Sequence, residues 1–150
     1  MKKDPYGRSA RTYDRLVEPP VGQLRRLALK VYPPRENIHI LDAGCGTGTQ
    51  LELFRRPGCK LYGVDASPAM LDVARRRLGD AAELSLQDIS HMTFPDRMFD
   101  LVTMVLVLHE VPALLRSAVL IECKRVLKAD GRILLLDFHS GLTRFLAVTS

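Results

Sequence analysis

The chain predicts an open α/β sheet of the doubly wound kind, and three observations lead there. Short apolar runs alternate with segments of helical period along all 150 residues. The fourth of these runs, Phe99 to Leu106, is so uniformly apolar that it must be covered on both faces, as a strand of a parallel sheet is. The first ends in an acid and breaks into three alternating glycines, Asp42-Ala43-Gly44-Cys45-Gly46-Thr47-Gly48. That is how a strand hands over to a ligand-binding loop and the exposed N–H groups of a helix start.

In order, residues 1–20 read as a flexible arm: polar, basic and broken by Pro5, Gly7, Pro19 and Pro20, with at most a short helix from Thr12 to Val17. Residues 21–150 read as one domain without internal repeat or linker. Val21, Leu24, Leu27, Ala28 and Val31 recur at helical spacing, with Arg25, Arg26 and Lys30 on the other face, and Pro33-Pro34 stop the helix. Ile38 to Leu41 is the first strand, the glycine loop follows, and a helix runs from about Gly48 to Phe54. Lys60 to Val64 is the second strand, ending in Asp65. The next helix has the clearest ends: Ser67 as N-cap, Pro68 at its first position, Arg75, Arg76 and Arg77 in its last turn and Gly79 beyond. Ala82 to Leu86 is the third strand, leading into Gln87-Asp88-Ile89. After Phe94-Pro95-Asp96 and the fourth strand comes a helix over Ala113 to Leu127, with Leu115, Val119, Cys123 and Val126 on one stripe. Asp130-Gly131 then turns the chain into a fifth strand, Arg132 to Phe138.

Composition bounds the rest. A chain of this length buries enough surface to need no metal or disulfide staple, and 47% hydrophobic with 26% charged residues is globular composition. The net charge of +5 permits an anionic partner without requiring one, and the three arginines are explained by their helix end, so there is no clear nucleic-acid signal. Cys45, Cys59 and Cys123 are an odd number without metal-ligand spacing, which implies a reduced, cytoplasmic chain with no metal site. No apolar run approaches the roughly 20 residues of a membrane span, and the N-terminus has no apolar secretory core.

Four strand ends converge on one crevice in such a sheet: the loop from Asp42 to Gly48, Asp65, Asp88 and the segment after Val105. Asp65 lies about 20 residues past Gly44, the distance at which an acid accepts hydrogen bonds from a ribose, and Asp88 would receive an adenine amino group with Met70 and Ile89 against the base. The dinucleotide pattern G-x-G-x-x-G would need glycine at position 49, which is Thr49. Asp42, two residues before the first glycine, would repel a pyrophosphate and attract a sulfonium or ammonium.

Five segments taken together resemble class I S-adenosylmethionine-dependent methyltransferases: Leu41 to Gly48, Gly63-Val64-Asp65-Ala66-Ser67, Phe94-Pro95-Asp96 before Phe99-Asp100-Leu101-Val102, Leu108-His109-Glu110-Val111, and Arg125-Val126-Leu127-Lys128 before Gly131. The nearest group is the type 11 set that includes quinone-biosynthesis C-methyltransferases. The resemblance implies a Rossmann-like fold and S-adenosyl-L-methionine as cofactor. Asp42, Gly44, Cys45, Gly46 and Gly48 would hold the methionine portion, Asp65 and Ala66 the ribose, and Met70, Asp88 and Ile89 the adenine, with Met104 completing the set. The family sheet ordinarily has two further strands, the last antiparallel. Residues 141–150 are too short for them, so the expected sheet has five strands and an exposed fifth-strand edge, open to a second copy or another partner.

Methyl transfer needs alignment more than acid–base groups, since proximity and orientation alone supply roughly 7–11 kcal/mol. His109 and His139, just beyond strand ends, are candidate bases, and Tyr13 is a catalytic candidate that, with Tyr6, would either cover a ligand or anchor the arm. The expected function is methylation of a small-molecule acceptor, such as a quinone precursor or lipid. A catalytically incomplete cofactor-binding subunit and an NAD-dependent oxidoreductase are the alternatives.

Overall fold

The computed structural model describes residues 3–139 and 142–149, with side chains described from 3 to 137. Its centre is a sheet of six strands in the order β3-β2-β1-β4-β5-β6, with β1 His39–Ala43, β2 Lys60–Asp65, β3 Ala82–Leu86, β4 Phe99–Val105, β5 Leu127–His139 and β6 Leu142–Thr149. The first five are parallel, as expected: β1 is flanked by β2 and β4, with Ile40 level with Leu61 on one side and Leu101 on the other. Strand order reverses between β1 and β4, which opens a crevice at their carboxyl ends.

Three helices lie between consecutive strands: α2 Thr49–Phe54, α3 Pro68–Leu78 and α4 Ala113–Val126. The capping signals of α3 are met in detail, since the Ser67 hydroxyl accepts the N–H of Met70 at 3.1 Å, an interaction worth about 1 kcal/mol. Apolar clusters fill both faces of the sheet. Ile40, Leu51, Phe54, Leu71, Leu78 and Leu101 pack on one side, and Val102, Met104, Val119, Cys123 and Val126 pack beneath α4 on the other.

Two expectations are corrected. The chain does not end its sheet at the fifth strand: β6 pairs antiparallel along β5 from Arg132↔Thr149 to His139↔Leu142, so the β5 edge is covered and β3 and β6 are the edges. Eight residues suffice, because a hairpin return needs no crossover helix. At the other end, α1 is one helix, Ala10–Val31, running through Pro19 and Pro20 and across the boundary expected at residue 20. The prolines are tolerated because the carbonyls they leave without amide partners belong to Arg15 and Leu16, all four residues being exposed, where water replaces the lost bonds. Burial recurs along this helix at Ala10, Val21, Arg25 and Ala28, so Arg25 faces inward instead of sharing the solvent face with Arg26.

Candidate functional site

Gly44 donates to Val64 O at 2.8 Å and Cys45 to the same oxygen at 2.9 Å, which folds the glycine loop back onto β2. At Gly44, φ is +79°, and a Cβ would lie 2.6 Å from Val107 Cγ2, so backbone conformation and the neighbouring wall both require glycine. At Gly46, φ is +52° and nothing lies within 4 Å of a Cβ position, which leaves the loop open on that side. Its N–H donates to Asp65 Oδ2 at 2.8 Å, while Asp65 Oδ1 accepts the Ser67 N–H at 2.8 Å. Asp65 therefore joins the loop to the start of α3. Burial raises its pKa against the opposing pull of those two amides.

Asp42 is almost completely buried, at 2% exposure, and Thr103 Oγ1 of β4 donates to its Oδ1 at 2.8 Å. Burial pushes its pKa up to about 7; the Thr103 bond and the Arg25 guanidinium pull it down, and the Asp65 charge adds to the rise. Arg25, 7% exposed, is held by Glu18 at 2.8 Å.

Asp42, Arg25, Asp65 and the loop from Gly44 to Gly46 line a cavity of about 340 Å³ at the carboxyl ends of β1, β2 and β4. Of the residues expected at the cofactor, Asp42, Gly44, Cys45, Gly46, Asp65, Ala66, Met70, Asp88 and Ile89 all face it, as does Tyr13. Asp88 lies two residues beyond β3, and its Oδ1 accepts from the Ser90 N–H and hydroxyl at 2.8 and 2.7 Å. Two expected residues do not line it. Gly48 packs against Leu78 and Ala74 of α3, where a Cβ would approach Leu78 Cδ1 to 2.9 Å. Met104 is fully buried on the α4 side of the sheet, and Val105, Leu106 and Val107 form the wall instead.

His109 lines a second cavity beside the first. The His139 side chain lies outside the described residues.

The N-terminal segment contributes more than two tyrosines. Asp4 receives the Ser67 hydroxyl at 2.8 Å and the Ala69 N–H at 3.1 Å, which sets a carboxylate at the start of α3 and brings Pro5 and Tyr6 over the cavity. Although burial works against it, hydrogen bonds from the Tyr6 and Ala69 amides and the Ser67 hydroxyl hold the Asp4 carboxyl below its ordinary pKa. The Tyr6 hydroxyl donates to Glu110, and burial with that contact raises its pKa. From α1, Asp14 accepts the Thr47 hydroxyl at 2.5 Å and pairs with Arg77, and Glu18 accepts the Thr49 hydroxyl at 3.2 Å. The sequence reading overlooked Arg25, Asp14 and Glu18. Their spacing, 14, 18, 21 and 25 with Val21, is a helical stripe that becomes visible once the prolines are read through.

Among the described residues, no cluster of three or more His, Cys, Asp or Glu could hold a metal ion, and no helix is long and apolar enough to cross a membrane.

Residues 41–135 match the family model described as a methyltransferase domain. The chain is 39% identical over 120 residues to the demethylmenaquinone methyltransferase of Symbiobacterium thermophilum, covering 75% of this chain and 47% of that protein. It is 35% identical over 138 residues to the malonyl-(acyl-carrier protein) O-methyltransferase of Serratia marcescens, covering 91% and 52%. It thus spans about half the length of the curated relatives it matches. Among solved structures it resembles the YcgJ protein of Bacillus subtilis, with TM-score 0.72 and 28% identity over 79% of this chain and 51% of that one. A methyltransferase solved with the Trm112 activator of Haloferax volcanii shares the fold, with TM-score 0.82 and 24% identity over 91% and 62%.

Proposed function

The chain belongs to the methyltransferase domain family, and from that premise we propose that it binds S-adenosylmethionine and transfers its methyl group to a small-molecule acceptor. One observation carries the cofactor assignment. The cavity wall presents four carboxylates, Asp42, Asp65, Asp88 and Glu110, against one guanidinium, Arg25. A dinucleotide would bring a pyrophosphate to this acidic wall, whereas a sulfonium and an ammonium are attracted to it. When bound, the cofactor supplies an electrophilic methyl group on a cationic sulfur.

The residues present fit that ligand. Asp42, buried beside the glycine loop, would take the amino group and gain a cation in the position where its own ionisation is now disfavoured. Arg25 would take the carboxylate of the amino-acid portion. Each oxygen of Asp65 keeps a second lone pair after serving Gly46 and Ser67, enough to receive a ribose diol. Met70 and Ile89 would flank the adenine, with Asp88 at its edge. Tyr6 and Tyr13, drawn over the cavity by the Asp4, Asp14 and Glu18 contacts, would exclude water from the reacting end. Three free cysteines, two of them buried, support a reducing, cytoplasmic setting.

Calorimetric titration of the full chain with S-adenosylmethionine and with NAD tests the reading. Binding of the first with little or none of the second is expected. Preference for NAD would replace methyl transfer with hydride transfer on the same fold.

A further inference from the structure

We propose that the outward face of α4 docks on an anionic lipid surface, with Leu114 and Ile121 entering the acyl boundary and Arg116 and Lys124 meeting the headgroups. The inference goes beyond methyl transfer and stands whether or not that reading holds. It begins from a helix that is apolar on both sides. Inward, Val119, Cys123 and Val126 pack on the sheet. Outward, Leu114, Ala118 and Ile121 recur at helical spacing, and Leu114 is 95% and Ile121 69% exposed, with Leu115 and Leu120 exposed beside them. A surface helix ordinarily turns a polar face to water, as α3 does with Asp72, Arg75 and Arg76. The setting adds to the exposure. Among the described residues β3 passes to β4 without a helix and β5 returns directly as β6, while α1, α2 and α3 pack with one another on the opposite face of the sheet.

Charge selects the occupant. Arg116, Leu120 and Lys124 form the row beside the apolar one, at i, i+4 and i+8, so two basic side chains bracket a leucine. The Arg116 guanidinium bonds the carbonyls of Val111 and His109, and neither it nor Lys124 meets a carboxylate among the described residues. Arg97, whose N–H donates to Arg125 O at 3.0 Å near the carboxyl end of the helix, is likewise unmatched. The carboxylates of the helix and its flanks are engaged, Glu122 and Asp96 by Arg125 and Glu110 by the Tyr6 hydroxyl. An apolar stripe with uncompensated positive charge along it is complementary to a bilayer of net negative headgroups. The long basic side chains reach the phosphates while leucine and isoleucine go deeper.

A second copy of the chain suits this face less well. At 14 residues α4 is about 21 Å long, and four apolar side chains on it fall well short of the roughly 800 Å² per partner of a stable interface. The stripe also adjoins the first cavity, since exposed Leu115 lines it together with Val111, Pro112 and Val119. A bilayer on α4 would therefore lie at the cavity wall, where an apolar acceptor would enter without crossing water. That corollary alone rests on the methyl-transfer reading.

The test uses the full chain with vesicles of phosphatidylglycerol and phosphatidylcholine in equal parts, and with vesicles of phosphatidylcholine alone. Co-sedimentation should show the anionic vesicles bound at least about tenfold more tightly, with the difference shrinking as salt rises. The chain has no tryptophan, so Leu114→Trp sets a single reporter on the stripe. Its emission should move to shorter wavelength on the anionic vesicles and be quenched by brominated acyl chains. Lys124→Ala should weaken binding about fivefold, and Leu114→Ser combined with Ile121→Ser at least about tenfold. All three positions are exposed, so circular dichroism should be unchanged. Equal binding to both vesicle types, no binding to either, a reporter whose emission does not move, or a dimer in solution that the double serine substitution dissolves overturns the proposal. Absence of S-adenosylmethionine binding in the calorimeter would remove only the methyl-transfer reading, so the two failures are separate.

Discussion

Replacing Asp42 by Asn should make the ligand-free protein more stable and weaken its hold on S-adenosylmethionine. The carboxyl is buried, and its pKa in the folded protein is raised from 3.8 to about 7. An acid with a raised folded pKa weakens folding wherever it must ionise. The folded state holds the proton more tightly than the unfolded chain, so stability is greatest below pH 4 and falls as pH rises from about 4 to about 7. The rise corresponds to roughly 4 kcal/mol, at about 1.4 kcal/mol for each tenfold change in protonation. Asn keeps the oxygen that receives the Thr103 hydroxyl and never ionises. Denaturant titrations at pH 8 should therefore show Asp42→Asn more stable than wild type by about 2–4 kcal/mol, and the gap should narrow by more than half as pH falls to 5. Calorimetry at pH 8 should show S-adenosylmethionine affinity reduced at least about tenfold, the loss of one charge-assisted contact. A gap of equal size at pH 5 and pH 8 would mean that the burial of this carboxyl is not what limits stability. Unchanged affinity would move the ammonium site elsewhere.

Asp65→Ala should weaken cofactor binding at least about tenfold and also loosen the Gly46 and Ser67 amides, which amide hydrogen exchange would detect. Gly44→Ala combines a left-handed backbone with a Cβ 2.6 Å from Val107, and should cost about 2–4 kcal/mol in chemical denaturation. Adding Val107→Ala should return the steric share alone. Gln50 is fully buried on α2 with neither side-chain polar atom partnered among the described residues, so Gln50→Met should raise stability by about 1–3 kcal/mol; a loss would mean the amide has a partner, such as a buried water.

What the sequence made legible followed from local chemistry. Ser67, Pro68 and Gly79 announce α3 because capping depends on a few adjacent residues, and Asp42, Asp65 and Asp88 mark strand ends because a parallel sheet puts its loops on one side. The first misreading came from the two prolines. They have a definite local cost, and only the burial of Val21, Arg25 and Ala28 on one side with water on the other shows that α1 survives it. With the helix cut in two, the stripe that carries Asp14, Glu18 and Arg25 to the glycine loop disappeared. Met104 was misplaced for another reason. A strand apolar at every position has no alternation, so nothing in Phe99 to Val105 tells which side chains meet α4 and which face the crevice. The sixth strand is hidden in the sequence because an antiparallel return needs only a short stretch, Leu142–Thr149, with no crossover helix to announce it.

The proline pair in α1 bears on how fast ligands exchange. On its carboxyl side the helix is rooted in the core through Val21, Ala28 and the adjoining Tyr32; on its amino side it carries Tyr13 to both cavities, Val17 to the second and Asp14 to Thr47 of the glycine loop. Two successive amide bonds between these halves, those Pro19 and Pro20 cannot donate, are missing, which makes that junction the compliant point of the helix. Bending there would lift the amino half while the root stays packed, and would have to break the Thr47, Thr49 and Arg77 contacts to Asp14 and Glu18. Substituting both prolines by alanine would stiffen the joint, lowering the association and dissociation rates together while the equilibrium constant changes little.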